Sequence, residues 1–322
     1  MISFGPADIL GAWALDALLG DPPWIPWPHP VVVMGRAVTA LEPRLRRTGA
    51  SGSRLLFGGG VLWLTVVGGA FLASYALWQG LGWIHPALGR AAGVYLAFAC
   101  LATRSLDREA RRVGRLLRQG RLGRARARLG CIVGRDTERL APDQVARAAV
   151  ETVAENASDG VIAPMIYLAL GAHLGLGPCL AVAYKAVNTL DSMVGYRDER
   201  YAHFGRLPAR LDDAANWVPA RLTALLAALG AQVLWRRGGA SIRTALRDGS
   251  LHKSPNAGYP EAAFAGALRV QLGGPSTYRG RVRNAPRLGD PGEPIRAQHV
   301  DRSLRLLWAT SVLGLLLGVI LA

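Results

Sequence analysis

The stretch YKAVNTLDSMVGY, residues 184–196, follows an apolar run, 161–183, that carries no formal charge. An ammonium and a carboxylate beside such a run cost on the order of several kcal/mol unless they are paired, solvated or engaged by a ligand. On a helix advancing about 100° per residue, with Lys185 as zero, Ser192 falls near roughly −20°, Thr189 near +40°, Asn188 near −60° and Asp191 near −120°. One flank therefore carries an ammonium, a carboxylate, an amide and two hydroxyls, while Ala186, Leu190 and Val194 lie outside that arc. A structural Lys–Asp pair would explain two of these groups. The density of hydrogen-bonding side chains favours a site.

The whole chain is 51% hydrophobic yet carries 38 Lys and Arg against 22 Asp and Glu, a net charge of +16. Its mean hydropathy is +0.20. That combination suits a membrane protein with basic cytoplasmic loops better than a nucleic-acid binder. Three widely spaced cysteines without a CxxC pair point to neither a zinc site nor a disulfide framework. The N-terminal segment lacks a basic region and is interrupted by Asp8 and Asp16, unlike a cleaved signal peptide. No P-loop or GxGxxG motif is present.

The expected architecture is all-α: a single polytopic, membrane-embedded helical domain over 1–322, with broken or re-entrant helices. The clearest span is 55–78, 24 uncharged residues against the roughly 20 a bilayer needs. Residues 91–103 return, with 86–89 contributing, and 304–322 is a C-terminal span. Apolar residues 222–235 are short for a crossing, so a re-entrant or buried helix is expected there. The five prolines of 20–35 read as a rigid loop that can shape a pocket with Asp21 and His29. Residues 104–128 hold ten arginines, and on a helix Arg104, Arg108, Arg111, Arg115 and Arg118 share one face opposite Leu106, Val113 and Leu117, a basic amphipathic helix suited to anionic lipid or to packing under a membrane domain. Arginine-rich flanks put about 104–142, 197–213 and 236–302 on the cytoplasmic side.

Pro142 opens a helix in which Glu151, Glu155 and Asp159 recur every four residues, and like charges at that spacing repel. An arginine or a divalent ion is expected to offset them. Gly160 and Pro164 should break that helix, and the apolar run beyond it breaks again around Gly175–Pro178. Asp212, Asp213 and Asn216 share another helical arc, with Arg210 and Arg221 nearby. SPNAG, 254–258, has turn chemistry whose backbone N–H groups can meet an anion. Glu261 falls in the first turn of an Ala-rich helix, where the macrodipole favours a carboxylate, and Gly273–Gly274 should end that helix.

Five blocks in order, GDP…PHPVVVMG, AENASDGVIAP, YKAVNTLDSMVGY, FGRLPARLDDAANWVPARLT and SPNAGYPEAAFAGALRVQLGG, resemble the CobD/CbiB family of cobalamin biosynthesis over about residues 8–280. One departure is Arg269, where that pattern has a small residue, usually glycine. The resemblance implies an integral membrane ligase, adenosylcobinamide-phosphate synthase, using ATP and Mg²⁺. Such an enzyme joins (R)-1-aminopropan-2-ol, or its O-phosphate, to the propionate carboxylate of adenosylcobyric acid, by way of an acyl phosphate. Within the matched motifs, Lys185, Asp191, Asp212, Asp213 and Glu155 are then the candidate catalytic residues. Asp159, Asp191, Asp212 and Asp213 are candidate Mg²⁺ ligands. His29, Asn156, Asn188, Ser192, Arg210, Asn216, Ser254, Asn256 and Glu261 are candidates for binding substrate or nucleotide, and a carboxylate or His29 for the base. These blocks are expected to converge on one chamber facing the cytoplasm from the inner membrane, served by the lipid bilayer, corrinoid and aminopropanol phosphate as partners. Nucleic acid is not expected as a partner; other cobalamin-assembly enzymes are. The alternatives are a transporter using Lys185 and Asp191 as an intramembrane pair, or a non-catalytic scaffold for corrinoid intermediates.

Overall fold

The structure, a computed structural model, describes residues 2–21, 29–47, 49–196, 198–278 and 280–322. Helices α1 (Pro6–Leu19), α2 (Pro30–Leu45), α3 (Gly52–Ile84) and α4 (Pro86–Phe98) lead into α5 (Thr103–Arg118) and α6 (Leu122–Leu129). Then come α7 (Pro142–Ala157), a π-helical turn (Ser158–Ile162), α8 (Ala163–His173), α9 (Cys179–Val194), α10 (Arg206–Ala215) and α11 (Trp217–Trp235). The remainder is α12 (Gly238–Asp248), a 3-10 turn (Gly249–Leu251), α13 (Gly258–Leu268), an antiparallel hairpin of β1 (Leu272–Tyr278) and β2 (Arg281–Leu288), and α14 (Ala297–Leu321). The all-α polytopic expectation holds, with one hairpin added.

Among the described residues four stretches are long and apolar enough to cross a membrane: Gly52–Ile84, Pro86–Arg118, Trp217–Trp235 and Ala297–Leu321. The third contains 222–235, expected to be re-entrant or buried, and half of its apolar window is buried. The helix starts at Trp217, and including that first turn brings it to 19 residues, within reach of a hydrocarbon core. α3 also runs past Trp78, the end of the expected span, to Ile84.

The chain forms two compact units. The first comprises 1–102, 163–216 and 315–322. Its centre is α9, which buries Ala181, Tyr184, Ala186, Leu190 and Val194 and packs against α2, α3, α8 and α10. The expected break between α8 and α9 is present, with Gly175 and Gly177 in left-handed turns. Gly205 is the N-cap of α10, and a Cβ there would overlap the carbonyl oxygen of Val194. Glycine thus lets α10 start directly against the end of α9. The proline-rich loop lies outside the described residues at 22–28, as does Arg197 in the 197–213 segment.

The second unit comprises 103–162 and 217–314. Here α7 and α13 are buried on nearly all sides and pack on each other, their many alanines permitting close approach. The basic amphipathic helix is α5, which buries Leu106 and Val113, and the last arginines of the stretch fall on the separate α6 because Gly120 adopts φ 68°. The Arg121 N–H then reaches back to the Leu116 carbonyl and the Gly120 N–H to Leu117, closing α5 in a Schellman motif. Two expectations are corrected in this unit. Gly160 does not break its helix: α7 widens into a π turn, the kind of irregularity that recurs at functional sites. Finally, α13 ends at Leu268 rather than at Gly273–Gly274, whose left-handed φ angles of 78° and 85° instead open β1. The left-handed cap of α13 is Arg269, φ 55° and ψ 45°.

Candidate functional site

In the first unit, α9 and α10 bring Lys185, Asn188, Asp212 and Asn216 together. Asp212 is buried, and the Asn188 amide donates to its Oδ1 across a long 3.5 Å. Burial pushes the Asp212 carboxyl up to about 6, and the neighbouring Asp213 charge adds to this against the opposing pull of Asn216, Asn188 and Lys185. Two tyrosines that sequence reasoning missed hold this corner. Tyr184 donates to Asn216 Oδ1 at 2.7 Å and Tyr167 to the Ala215 carbonyl at 3.1 Å, with their rings stacked 4.8 Å apart. Tyr184 sits in the YKAVNTLDSMVGY block, which was the only signal for it.

Asp213, one residue on, turns instead to a cleft of about 440 Å³ lined by Arg210, Arg206, His203, Tyr196 and Gly195. Arg210 is exposed at its rim. Asp191 closes α9 next to that cleft: a Cβ on Gly195 would overlap its Oδ1. The remaining hydroxyls of the α9 arc are engaged locally, Thr189 Oγ1 donating to the Lys185 carbonyl at 2.7 Å and Ser192 Oγ to Asn188 at 2.9 Å. Ser192 is nonetheless exposed. His29 serves as the N-cap of α2, its Nδ1 accepting from Val31 N at 3.3 Å, with Nε2 3.3 Å from Asp21 Oδ1.

The second unit holds a separate carboxylate cluster. Glu151 is buried and accepts from Arg135 at 2.6 Å and from the Gly273 N–H at 2.8 Å, while Arg147 Nε stands 3.7 Å away. Of the two offsets left open for the acidic face of α7, arginine is the one present at Glu151. Arg135 also reaches Ser276 Oγ at 3.2 Å and Arg147 the Pro275 carbonyl at 2.8 Å, so one buried carboxylate ties α7 to the hairpin. Glu261 lies within range of the Glu151 and Glu155 charges, and burial foremost, then those carboxylates, raises its own carboxyl well above the usual range against the opposing Arg135. Glu155 itself is exposed, Asn156 donates to the Thr152 carbonyl at 3.0 Å, and Asp159 sits half-buried in the π turn.

The SPNAG turn corrects a further expectation. Its Asn256 and Ala257 N–H groups point to Ser254 Oγ at 3.2 and 3.3 Å, so Ser254 occupies the donors expected to meet an anion. Ser254 N in turn donates to His252 Nδ1 at 3.1 Å. Asn256 is buried beside it. Next to this turn, the Arg221 guanidinium lies between the rings of Trp217 and Tyr259, 4.1 and 4.2 Å from their centroids.

Four proposed metal ligands are thus distributed as Asp191, Asp212 and Asp213 in one unit and Asp159 in the other. Among the described residues no group of three or more His, Cys, Asp or Glu side chains gathers as a metal cage. Mg²⁺ does not require one: it takes one or two carboxylates and completes its octahedron with water and substrate phosphate oxygens. Asp213 on the cleft, with Asp191 against the glycine that lines it, supplies donors of that chemistry.

A family model described as CobD/Cbib protein matches residues 9–307. The chain belongs to this family. Among its relatives is "Cobalamin biosynthesis protein CobD" of Geobacter metallireducens (strain ATCC 53774 / DSM 7210 / GS-15), 48% identical over 98% of this chain and 96% of the relative. The protein of the same name from Klebsiella pneumoniae subsp. pneumoniae is 46% identical over 96% of this chain and 94% of its own. "Cobalamin biosynthesis protein CbiB" of Salmonella arizonae shows the same identity and coverage. No solved structure matches the chain.

Proposed function

We propose that this CobD/CbiB-family protein, a multi-pass membrane protein of cobalamin biosynthesis, is an ATP- and Mg²⁺-dependent carbon–nitrogen ligase. It would join (R)-1-aminopropan-2-ol, or its O-phosphate, to the propionate carboxylate of adenosylcobyric acid. The observation that carries the reading is the α9–α10 corner: a buried carboxyl poised at about 6 beside a lysine and two amides, back to back with an arginine-lined cleft.

A carboxylate is a poor electrophile, so amide formation first needs the propionate oxygen phosphorylated. The γ-phosphoryl group passes to that oxygen, ADP leaves, and the amine nitrogen then attacks the carbonyl carbon and expels phosphate. Phosphoryl transfer is helped mainly by positioning and charge neutralisation. Arg210 at the cleft and Lys185 on α9 supply fixed positive charge, the latter as a compact ammonium suited to a phosphate oxygen. Asp213 and Asp191 are the residues that would hold Mg²⁺, which when bound neutralises charge on the phosphates. The attacking amine must shed a proton, and a carboxyl whose pKa lies near 6 is matched to taking it near neutral pH; Asp212 has that role. Asn188 and Asn216 orient Asp212 and the groups it meets, and Ser192 and His29 remain candidates at the periphery. The candidates of the other unit, Glu155, Asn156, Asp159, Ser254, Asn256 and Glu261, take no step in this reading. The arginine-rich flanks support an inner-membrane location with the site on the cytoplasmic side, where ATP is available.

The test is turnover by detergent-solubilised protein supplied with adenosylcobyric acid, aminopropanol phosphate, ATP and Mg²⁺. One ADP should appear per amide, and hydroxylamine in place of the amine should trap a hydroxamate. Uptake of corrinoid into liposomes without ADP or amide would make the protein a transporter. Amide formation that survives Lys185→Ala and Asp212→Ala when a soluble partner is added would make it a scaffold.

A further inference from the structure

A second cavity, of about 790 Å³, lies in the other unit between α12, α13 and the segment after β2. None of the ligase residues lines it. Its floor is a close helix approach: a Cβ on Gly266 of α13 would press on Thr244 and on the Ala240 carbonyl of α12. Its far wall is held by two backbone donors, the Glu293 N–H donating to the Arg269 carbonyl at 3.1 Å and the Gly289 N–H to the Asp248 side-chain Oδ2 at 2.8 Å. These bonds make the groove a built feature.

The lining is strongly cationic: Arg243, Arg247 and Arg269 face a single acid, Asp290. Arg247 is already committed, to Asp248 at 2.7 Å and to Asp290 at 2.8 Å. Arg243 and Arg269 make no ion pair with an acidic side chain among the described residues. Behind them stand Arg237 and Arg302, close enough that Arg269 and Arg302 both act against the Arg237 charge, with Glu293 3.6 Å from Arg302 the nearby acid. Positive charge is therefore in excess in and around the groove.

Backbone conformation adds an independent observation. The position after a helix that turns left-handed is ordinarily glycine, because a Cβ there crowds the carbonyl. Arg269 occupies it at φ 55°, and among the described residues only Arg236, at the end of α11, shares a left-handed φ without being glycine. A strained residue persists where the surroundings or the function demand its side chain. At Arg269 the strain carries a guanidinium to the groove.

We propose that this groove is an anion site for a phosphate ester, clasped between Arg243 of α12 and Arg269 of α13. A guanidinium presents a planar fork of donors that matches phosphate oxygens. Two of them approaching from different helices suit a tetrahedral dianion better than a planar carboxylate. The phosphate can belong to a soluble molecule or to an anionic lipid headgroup. The site is independent of the ligase reading and stands or falls without it.

The experiment uses the purified full chain in detergent, titrated with inorganic phosphate against chloride at matched ionic strength and followed by calorimetry. Wild type should bind saturably, and Arg269→Gly and Arg243→Gln should each weaken binding at least tenfold. Arg269→Gly relaxes the left-handed backbone, so its thermal midpoint should hold or rise and lost binding is not lost folding. In a parallel arm, native mass spectrometry after reconstitution into phosphatidylglycerol–phosphatidylcholine nanodiscs reads retained lipid. Arginine-dependent phosphate binding alone assigns a soluble ligand, and arginine-dependent retention of phosphatidylglycerol assigns a headgroup. Equal binding of both probes by wild type and both variants overturns the proposal, as does an absence of binding by any of them.

Discussion

Asp212 is the residue where burial and chemistry meet. Its carboxyl is held at about 6, above the ordinary 3.8, so the folded state favours the protonated form. That contribution to stability is complete below 3.8 and is lost as pH rises towards about 6. If Asp212 is the base, kcat should climb through about pH 6 and then level. Asp212→Asn should remove that limb, lower kcat by roughly 10²–10⁴-fold and flatten the thermal midpoint between pH 4 and 6. A pH–rate profile and a matched melting series check both. In the other unit the two buried glutamates should respond unequally. Glu151→Gln leaves Arg135 buried without its counter-charge, a loss of about 3–5 kcal/mol for a broken buried pair. Burial, and then the Glu151 and Glu155 charges, raise the Glu261 carboxyl well above the usual carboxylate range, which favours its protonated form. Glu261→Gln should therefore change the denaturation midpoint little. Chemical denaturation of both variants at pH 7 separates them.

At the scale of elements, the site corner depends on where α10 begins. Gly205 lets it start against the Val194 carbonyl, and the tyrosines of α8 and α9 hold its other end at Ala215 and Asn216. Gly205→Ala should cost about 1–3 kcal/mol, as overpacking does. It should also lower kcat and raise KM for ATP together, because α10 carries both Asp212 and the cleft residues Arg206, Arg210 and Asp213. Steady-state kinetics beside a melting curve reads both. At the end of α13 the converse holds. Arg269→Gly removes a left-handed Cβ clash and should stabilise the protein by about 1 kcal/mol, seen as a higher thermal midpoint in phosphate-free buffer.

The whole molecule is legible as a membrane protein because long apolar stretches, four of them among the described residues, carry little charge while arginines crowd the connecting segments. Cys131 is exposed, whereas Cys100 and Cys179 are buried, so the native chain carries its own probe of sidedness. A membrane-impermeant maleimide should label Cys131 in inside-out vesicles and not in intact cells, placing the 104–142 segment in the cytoplasm. Labelling of intact cells would reverse the assignment. Co-purification with other cobalamin-assembly enzymes would be read at the same scale.

The sequence alone determined the class of fold, the family blocks and the helix that carries Lys185 and Asn188, because hydropathy and helical period are local properties of the chain. It also showed Arg269 as a departure, without a reason. Only tertiary structure decided what Asp212 and Asp213 each meet, the Asn188 amide of α9 for one and the cleft lined by Tyr196 and His203 for the other. The same holds for Tyr167 and Tyr184 over α10, for Glu151 binding the hairpin through Arg135, and for the left-handed turn at Arg269. Each depends on what a distant segment brings alongside, and a local pattern carries no record of which segment that is.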